Sequence, residues 1–408
     1  MHKITFGGTW MRMIGIAAVA GIAATALCWP TSATGKPAAA WPAKPLRLIL
    51  PAPAGPDSAG IVSLHLIDPA RRDPWIPSHP VRELMISITY PASDAGRYPA
   101  APWLPAVAAA HFLAGMHVPP GQVKLPATHS HQGAPVDRRA GRLPVVLFSP
   151  GSKMDRSSDT VLAEDLASHG YAVVTIDHPH DSGEVEFPGG HLAVSTLPPD
   201  STTVNTKATA VREADVRFVL NELTRLNAGH NPDAGHHPLP RGLAGDLNLA
   251  QVGMFGFSIG GAATANAMHD DPRIAAGIDL DGTVWGPVAA TGLDRPFMFL
   301  SSQDNGRTVD PTWRQLWQHL RGWHLDLRLA GAEHLAFSDA AVLYPQAAPA
   351  LGLTPRQLDQ LTGTINGNRA VAVESAYIRA FFDRWLRHHD SRLLDKPSPR
   401  YPEIQFIR

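Results

Sequence analysis

Gly256-Phe257-Ser258-Ile259-Gly260 sets a serine between two glycines at G-x-S-x-G spacing. A serine hydroxyl is a weak nucleophile, and this spacing is one that presents it for attack on a carbonyl carbon. The pentapeptide alone is common, so its flanks decide. QVGMFGF, before it, reads as a buried strand; GGAATANAMH, after it, reads as a helix of small residues. A sharp strand-to-helix turn holds the serine in strained backbone geometry. Side chains at 256 and 260 would then collide with neighbouring backbone. The helix N-terminus aims its dipole and its free N–H groups, that of Ile259 first, at the oxyanion formed on attack.

A nucleophilic serine needs a base, and the base needs an orienting acid. In the nucleophile elbow of α/β-hydrolases the chain order is Ser, then Asp or Glu, then His. Of the histidines after Ser258, His269 and His319 fall in helical patterns, His324 in a strand, and His388 and His389 at a helix end. His334, in Gly331-Ala332-Glu333-His334, occupies the loop after the last strand, where the mechanism needs a base. Asp281 ends the strand IAAGIDLD and Asp304 follows the next strand, at the end of FMFLSSQD. Both stand at carboxyl ends of strands, where α/β sites gather, and the residues themselves do not separate them. A second oxyanion donor should come from the loop Phe148-Ser149-Pro150-Gly151-Ser152-Lys153-Met154, through the Ser152 N–H.

The elements that must position these residues alternate. Apolar runs at 145–149, 171–177, 251–258, 273–281, 295–302 and 323–330 are separated by helical patterns at 158–169, 208–227, 259–269, 311–321 and 369–388. Strands this apolar are buried on both faces, which predicts a mostly parallel sheet covered by helices on both sides. Another strand is expected at 83–90, a loop-rich insertion at 92–142, and an entrance-flanking segment or hairpin at 183–207. One α/β-hydrolase domain over 59–408 is the reading.

Ahead of it, Lys3 and Arg12 precede the apolar, small-residue run Met13 to Leu27, which exits through Thr31-Ser32-Ala33. The run is shorter than the roughly 20 residues of a spanning helix. Residues 1–33 therefore read as a secretory signal cut near Ala33, with retention as an anchor the alternative. The chain's one cysteine, Cys28, lies inside that segment, leaving the mature protein without thiol or disulfide chemistry. Residues 34–58, rich in Pro and Ala, read as an extended linker. Thirty-five basic residues against 36 acidic ones, at net charge −1, give no footprint for nucleic acid.

Other polar clusters have plainer readings. His230, His236 and His237 lie in a polar loop without acidic or Cys ligands at metal spacing. Asp177-His178-Pro179-His180-Asp181 reads as pocket rim, since a Ser–His–Asp site needs no metal. Phe257 and Trp285 are candidate walls of an acyl pocket. No cofactor and no metal is called for.

Six stretches in chain order resemble the plasma-type platelet-activating factor acetylhydrolase family and its secreted bacterial esterase relatives: 82–93, 143–182, 253–261, 277–287, 331–339 and 363–382. Leu280-Asp281-Gly282-Thr283-Val284-Trp285 matches that family's acid motif, so the resemblance favours Asp281 over Asp304. The family's F-S-H-G oxyanion loop maps onto Phe148-Ser149-Pro150-Gly151, with Pro150 in place of a histidine. What the resemblance implies is a secreted serine carboxylic ester hydrolase that cleaves short-acyl esters, glycerophospholipid sn-2 acetyl esters among them, through an acyl-enzyme. No stable membrane insertion is expected once the signal is removed. The alternatives are a broader lipase or cutinase-like polyester hydrolase and, in a different class, a non-catalytic exported binding protein.

Overall fold

The computed structural model describes residues 44–408. The expected signal at 1–33, and the linker as far as residue 43, lie outside the described residues.

An eleven-stranded sheet runs through the domain. In chain order its strands are β1 (Ala59–Asp68), β2 (Arg82–Pro91), β3 (Ala100–Pro102), β4 (Ala127–Gln132), β5 (Leu143–Ser149), β6 (Ala172–Ile176), β7 (Leu247–Phe257), β8 (Ile274–Leu280), β9 (Phe297–Ser301), β10 (His324–Leu329) and β11 (Ile404–Phe406). Their spatial order is β11-β10-β9-β8-β7-β5-β6-β2-β1-β4-β3. The central strands β6, β5, β7, β8, β9 and β10 pair in parallel, and antiparallel β2 and β11 flank them. This is the α/β-hydrolase architecture the apolar runs called for.

Alternate residues of the central strands feed two cores. Val145, Leu147 and Met254 face one side, packed with helices α3 (Thr202–Asn227), α4 (Ile259–Asp270) and α5 (Pro311–His319). Val146, Phe148, Phe255 and Phe257 face the other, packed with α2 (Thr160–Ser168) and α8 (Gly367–Leu386). Each large apolar side chain buried this way contributes about 1.5–3 kcal/mol. With both faces covered, the strands lose their polar alternation and become legible as continuous runs.

The periphery differs from expectation where local signals are weak. Strand β1, AGIVSLHLID, was hidden by Gly60, Ser63 and His65, because its outer face is only half-buried. The stretch 92–142 is no insertion: β4 joins the main sheet beside β1, and α1 (Ala106–Gly115) packs through Ala108 into a third apolar cluster. Helix α3 begins ahead of residue 208 because the Ser201 hydroxyl accepts from the Val204 N–H at 3.2 Å and caps it. Helix α6 (Ala340–Leu351) forms despite Pro345 and Pro349, which argue against a helix locally. Its Val342, Leu343 and Ala347 are buried in the third cluster, and that burial outweighs the missing hydrogen bonds. Helix α7 (Pro355–Thr362) carries a capping box between Thr354 and Gln357, a signal that was present in the sequence. Within 183–207, Glu184–Glu186 and Leu192–Val194 form an antiparallel hairpin.

Residues 44–58 are extended but do not behave as a free linker. Leu48 and Leu50 are buried in the third cluster, and the Ala54 and Gly55 N–H groups donate to Asp165 and Ser168 of α2, both at 3.0 Å. The segment is a strap on the domain.

Candidate active site

Strand register gathers the candidate residues. Ser149 of β5, Gly256 of β7 and Asp279 of β8 are aligned across the sheet. The chain beyond each therefore leaves the sheet at one edge: Pro150–Ser152 from β5, Ser258 from β7, and Asp281 from β8. Sheet pairing, which the buried runs enforce, does most of the positioning.

Ser258 has φ 57° and ψ −124°, a conformation that costs a non-glycine residue about 1–3 kcal/mol. Its N–H donates to Leu280 O at 2.8 Å, tying the elbow to β8. The two motif glycines are there for space. A Cβ on Gly256 would lie 2.1 Å from Gly260 O, and one on Gly260 would lie 2.0 Å from Ser149 O. Ile259 opens α4, so its N–H has no acceptor within the helix.

The Ser258 hydroxyl donates to His334 Nε2 at 3.1 Å, and His334 Nδ1–H donates to Asp281 Oδ2 at 2.6 Å. His334 begins a short 3-10 turn after β10, and its ring packs on Phe257 at a centroid distance of 4.7 Å. Asp281 is 4% exposed; its other oxygen, Oδ1, accepts from the Ser302 N–H at 2.7 Å and from Asn305 Nδ2 at 3.1 Å. Three donors thus converge on Asp281 and fix its plane. Sequence reasoning missed Ser302 and Asn305, because a turn residue reached across the sheet edge leaves no local signal. The other acid considered, Asp304, stands exposed beside Glu333 and is not a partner of His334.

Beneath the elbow lies Asp279, fully buried, with Oδ1 accepting from the Gly282 N–H at 2.9 Å. Burial, aided by the nearby Asp281 charge, pushes its carboxyl well above the usual carboxylate range. With Oδ1 turned to Gly282, it is not the carboxyl that meets the imidazole, whose Nδ1 is taken by Asp281.

Ser152 follows Gly151, whose α-carbon faces Phe257 and Met154: a Cβ there would lie 3.0 Å from the Phe257 ring. The loop therefore rests against the elbow. Beyond it, an apolar cavity of about 370 Å³ is lined by Trp103, Leu113, Met116, Met154, Leu343 and Tyr344, with Lys153 and the His111–Glu184 pair at its edge. Trp285 is not among its walls; its carbonyl accepts from Asn266 Nδ2.

The cluster Asp177–Asp181 is not pocket rim. Asp177, His178 and Asp181 are fully buried, and His180 is nearly so. His178 Nδ1–H donates to Asp215 at 3.0 Å, and its Nε2 accepts from the Ser149 hydroxyl at 3.0 Å. Burial and the Arg212 charge hold His178 below the usual imidazole range, hence neutral. This is a second Ser–His–Asp array, but it is sealed, and Ser149 also accepts from Arg212, so it cannot reach a substrate. His230, His236 and His237 stand exposed, with His237 paired to Asp233 at 2.7 Å.

Comparison with known proteins places the chain among ester hydrolases. A model of the family "Platelet-activating factor acetylhydrolase, isoform II" matches residues 78–391. A probable 1-alkyl-2-acetylglycerophosphocholine esterase of Arthroderma benhamiae is 28% identical over 390 residues, 89% of this chain and 95% of that protein. A platelet-activating factor acetylhydrolase of Cavia porcellus is 24% identical over 247 residues, 53% of this chain and 55% of its own. Among solved structures, a ferulic acid esterase from Streptomyces cinnamoneus superposes with a TM-score of 0.75 at 34% identity, covering 88% of this chain and 99% of its own.

Proposed function

The chain belongs to the platelet-activating factor acetylhydrolase, isoform II, family, and from that premise we propose that it is an exported serine hydrolase that cleaves short-acyl carboxylic esters through an acyl-enzyme on Ser258. Family membership makes it an ester hydrolase and sets aside the non-catalytic binding protein. The observation that carries the mechanism is the unbroken line of hydrogen bonds from Ser258 through His334 to Asp281.

In this reading Ser258 Oγ attacks the ester carbonyl while His334 Nε2 takes its proton. Asp281 holds the proton of His334 on Nδ1 and stabilises the imidazolium once it forms. The Ile259 and Ser152 N–H groups receive the oxyanion. His334 then returns its proton to the leaving alcohol oxygen, leaving the acyl group on Ser258. Water attacks that ester with His334 again as base, and the carboxylic acid departs. No step needs a metal or cofactor, because proton transfer and oxyanion binding are both supplied by the chain.

Support for short acyl groups comes from two relatives that are named for acetyl ester substrates. The sn-2 acetyl ester of a glycerophospholipid is the substrate class that fits them. Export rests on the positive, apolar, small-residue order of residues 1–33. Among the described residues no helix is long and apolar enough to cross a membrane.

The apolar cavity beside the oxyanion loop favours a second reading, a lipase or cutinase-like enzyme of broader chain length. Hydrolysis of p-nitrophenyl esters from acetate to palmitate, with Ser258→Ala alongside, separates the two. Fast acetate and butyrate turnover that vanishes in the variant supports the acetylhydrolase. Preference for long chains selects the lipase. Turnover that survives Ser258→Ala refutes the mechanism.

A further inference from the structure

The loop that carries Ser152 is gripped by one buried guanidinium. Arg212, in the middle of α3, is fully buried. Its Nε and Nη2 donate to the two oxygens of Asp181, each at 2.7 Å. The remaining donors turn to the loop: Nη1 to Ser149 Oγ at 3.2 Å and to Pro150 O, and Nη2 to Gly151 O at 3.1 Å. One planar fork therefore holds both carbonyls that precede Ser152, with Asp181 fixing the plane of the fork.

This has a geometric consequence. The Gly151 carbonyl and the Ser152 N–H belong to one planar trans peptide, so they point in opposite directions. Pulling Gly151 O toward Arg212 aims the Ser152 N–H away from α3. On its other side the loop lies against the first turn of α4: Ser149 O and Pro150 O are the backbone atoms that a Cβ on Gly260 would strike, at 2.0 and 2.9 Å. The peptide is thus clamped between a guanidinium and the helix that carries Ser258. Ser149 completes the clamp, since its hydroxyl donates to neutral His178 and leaves its lone pairs free for Arg212.

We propose that Arg212, held by Asp181, is a positioning residue that orients the Ser152 N–H as oxyanion donor. The inference rests on the reading of Ser258 as nucleophile. It also accounts for the cost of burying a charged side chain here, since a guanidinium presents several donors in a rigid fork that a lysine ammonium lacks. A lysine at 212 keeps the charge but cannot hold Asp181 and two carbonyls in one plane.

The test is Arg212→Lys beside wild type and Ser258→Ala, with folding checked by circular dichroism and active sites titrated with a fluorophosphonate. Arg212→Lys is expected to lower kcat by about 10-fold to 100-fold per titrated site with KM changed less than about threefold, because loss of an oxyanion donor acts on the transition state. Affinity for a boronic acid, which forms a tetrahedral adduct on the serine, should fall in step with kcat. A merely structural role would reduce the number of active sites and leave both values per site unchanged. Asp181→Asn should shift kcat and boronate affinity in the same direction by a smaller factor, and it decides by the same criteria if Arg212→Lys does not fold. Unchanged kcat and boronate affinity in the folded variant, with Ser258→Ala inactive, overturn this inference alone. Turnover retained in Ser258→Ala overturns the nucleophile reading and this inference with it.

Discussion

Replacing Asp281 by asparagine tests the proposed acid through a proton count. In the native site Oδ1 accepts from two donors, the Ser302 N–H at 2.7 Å and Asn305 Nδ2 at 3.1 Å, while Oδ2 accepts from His334 Nδ1 at 2.6 Å. Asparagine has one acceptor oxygen. Two donors against one select that oxygen for the Oδ1 position, since an NH₂ there would face two N–H groups. The NH₂ then replaces Oδ2 and donates to His334 Nδ1, which drives the ring proton onto Nε2. At 3.1 Å from Ser258 Oγ, Nε2 has become a donor and cannot take the serine proton. The charge that would stabilise the imidazolium is lost as well. In the Ser–His–Asp template the same exchange costs about 10⁴ in kcat. Here Asp281→Asn is expected to lower kcat by about 10³–10⁴, or about 4–5.5 kcal/mol at 1.36 kcal/mol per decade, with KM nearly unchanged. Asp304→Asn, at an exposed site away from His334, should stay within about twofold of wild type. The assay is p-nitrophenyl acetate hydrolysis by both variants, normalised to folded protein by thermal melting. An Asp281→Asn enzyme that retains a tenth or more of wild-type kcat, or a larger loss in Asp304→Asn, rules out Asp281 as the acid.

Two further outcomes concern stability. The Asp279 carboxyl is raised by burial, so the folded chain holds its proton to higher pH than the unfolded chain, where it ionises above about pH 4. The unfolded state then binds fewer protons, and the stability this group contributes at low pH is lost as pH rises toward its folded pKa. Asp279→Asn, neutral and of equal size, should lessen the fall of melting temperature as pH rises above the ordinary carboxylate range and leave kcat within about threefold; a uniformly lower melting curve would contradict this. The strap at 44–58 buries Leu48 and Leu50, so deleting it should cost about 3–6 kcal/mol, read as a lower urea midpoint against the protein that begins at residue 44. A free linker would leave that midpoint where it was.

Much of this protein is legible residue by residue. The six central strands and the helices between them were visible because a strand buried on both faces must be continuously apolar, and a helix over a sheet must keep its period. The elbow was visible because strained backbone and close approach restrict residue type at Gly256, Ser258 and Gly260, wherever the rest of the chain goes. His334 could be placed from chain order, since only one histidine falls in the loop after β10, the last of the parallel strands.

The remaining features are decided in three dimensions. Asp281 and Asp304 both follow strands, and residue type and spacing do not separate them, although the motif at 280–285 favours Asp281 by resemblance; the parallel register of β7, β8 and β9 turns Asp281 toward His334 and leaves Asp304 in solvent. The half-buried strand β1, the proline-bearing helix α6 and the docked strap owe their conformations to partners distant in sequence, which a window of neighbouring residues does not contain. The Asp177–Asp181 cluster has the polar composition of a pocket rim, yet it is buried, because Arg82, Arg156 and Arg212 arrive from other elements to pair its charges and those of Asp215. Charge pairing across a fold leaves no periodicity. Residue type and chain order pointed to Ser258 as nucleophile and to where its partners should lie, and the resemblance favoured Asp281; that this carboxylate meets the imidazole, and that Arg212 grips the loop before Ser152, depends on the fold, because hydrogen bonds act through space and not along the chain.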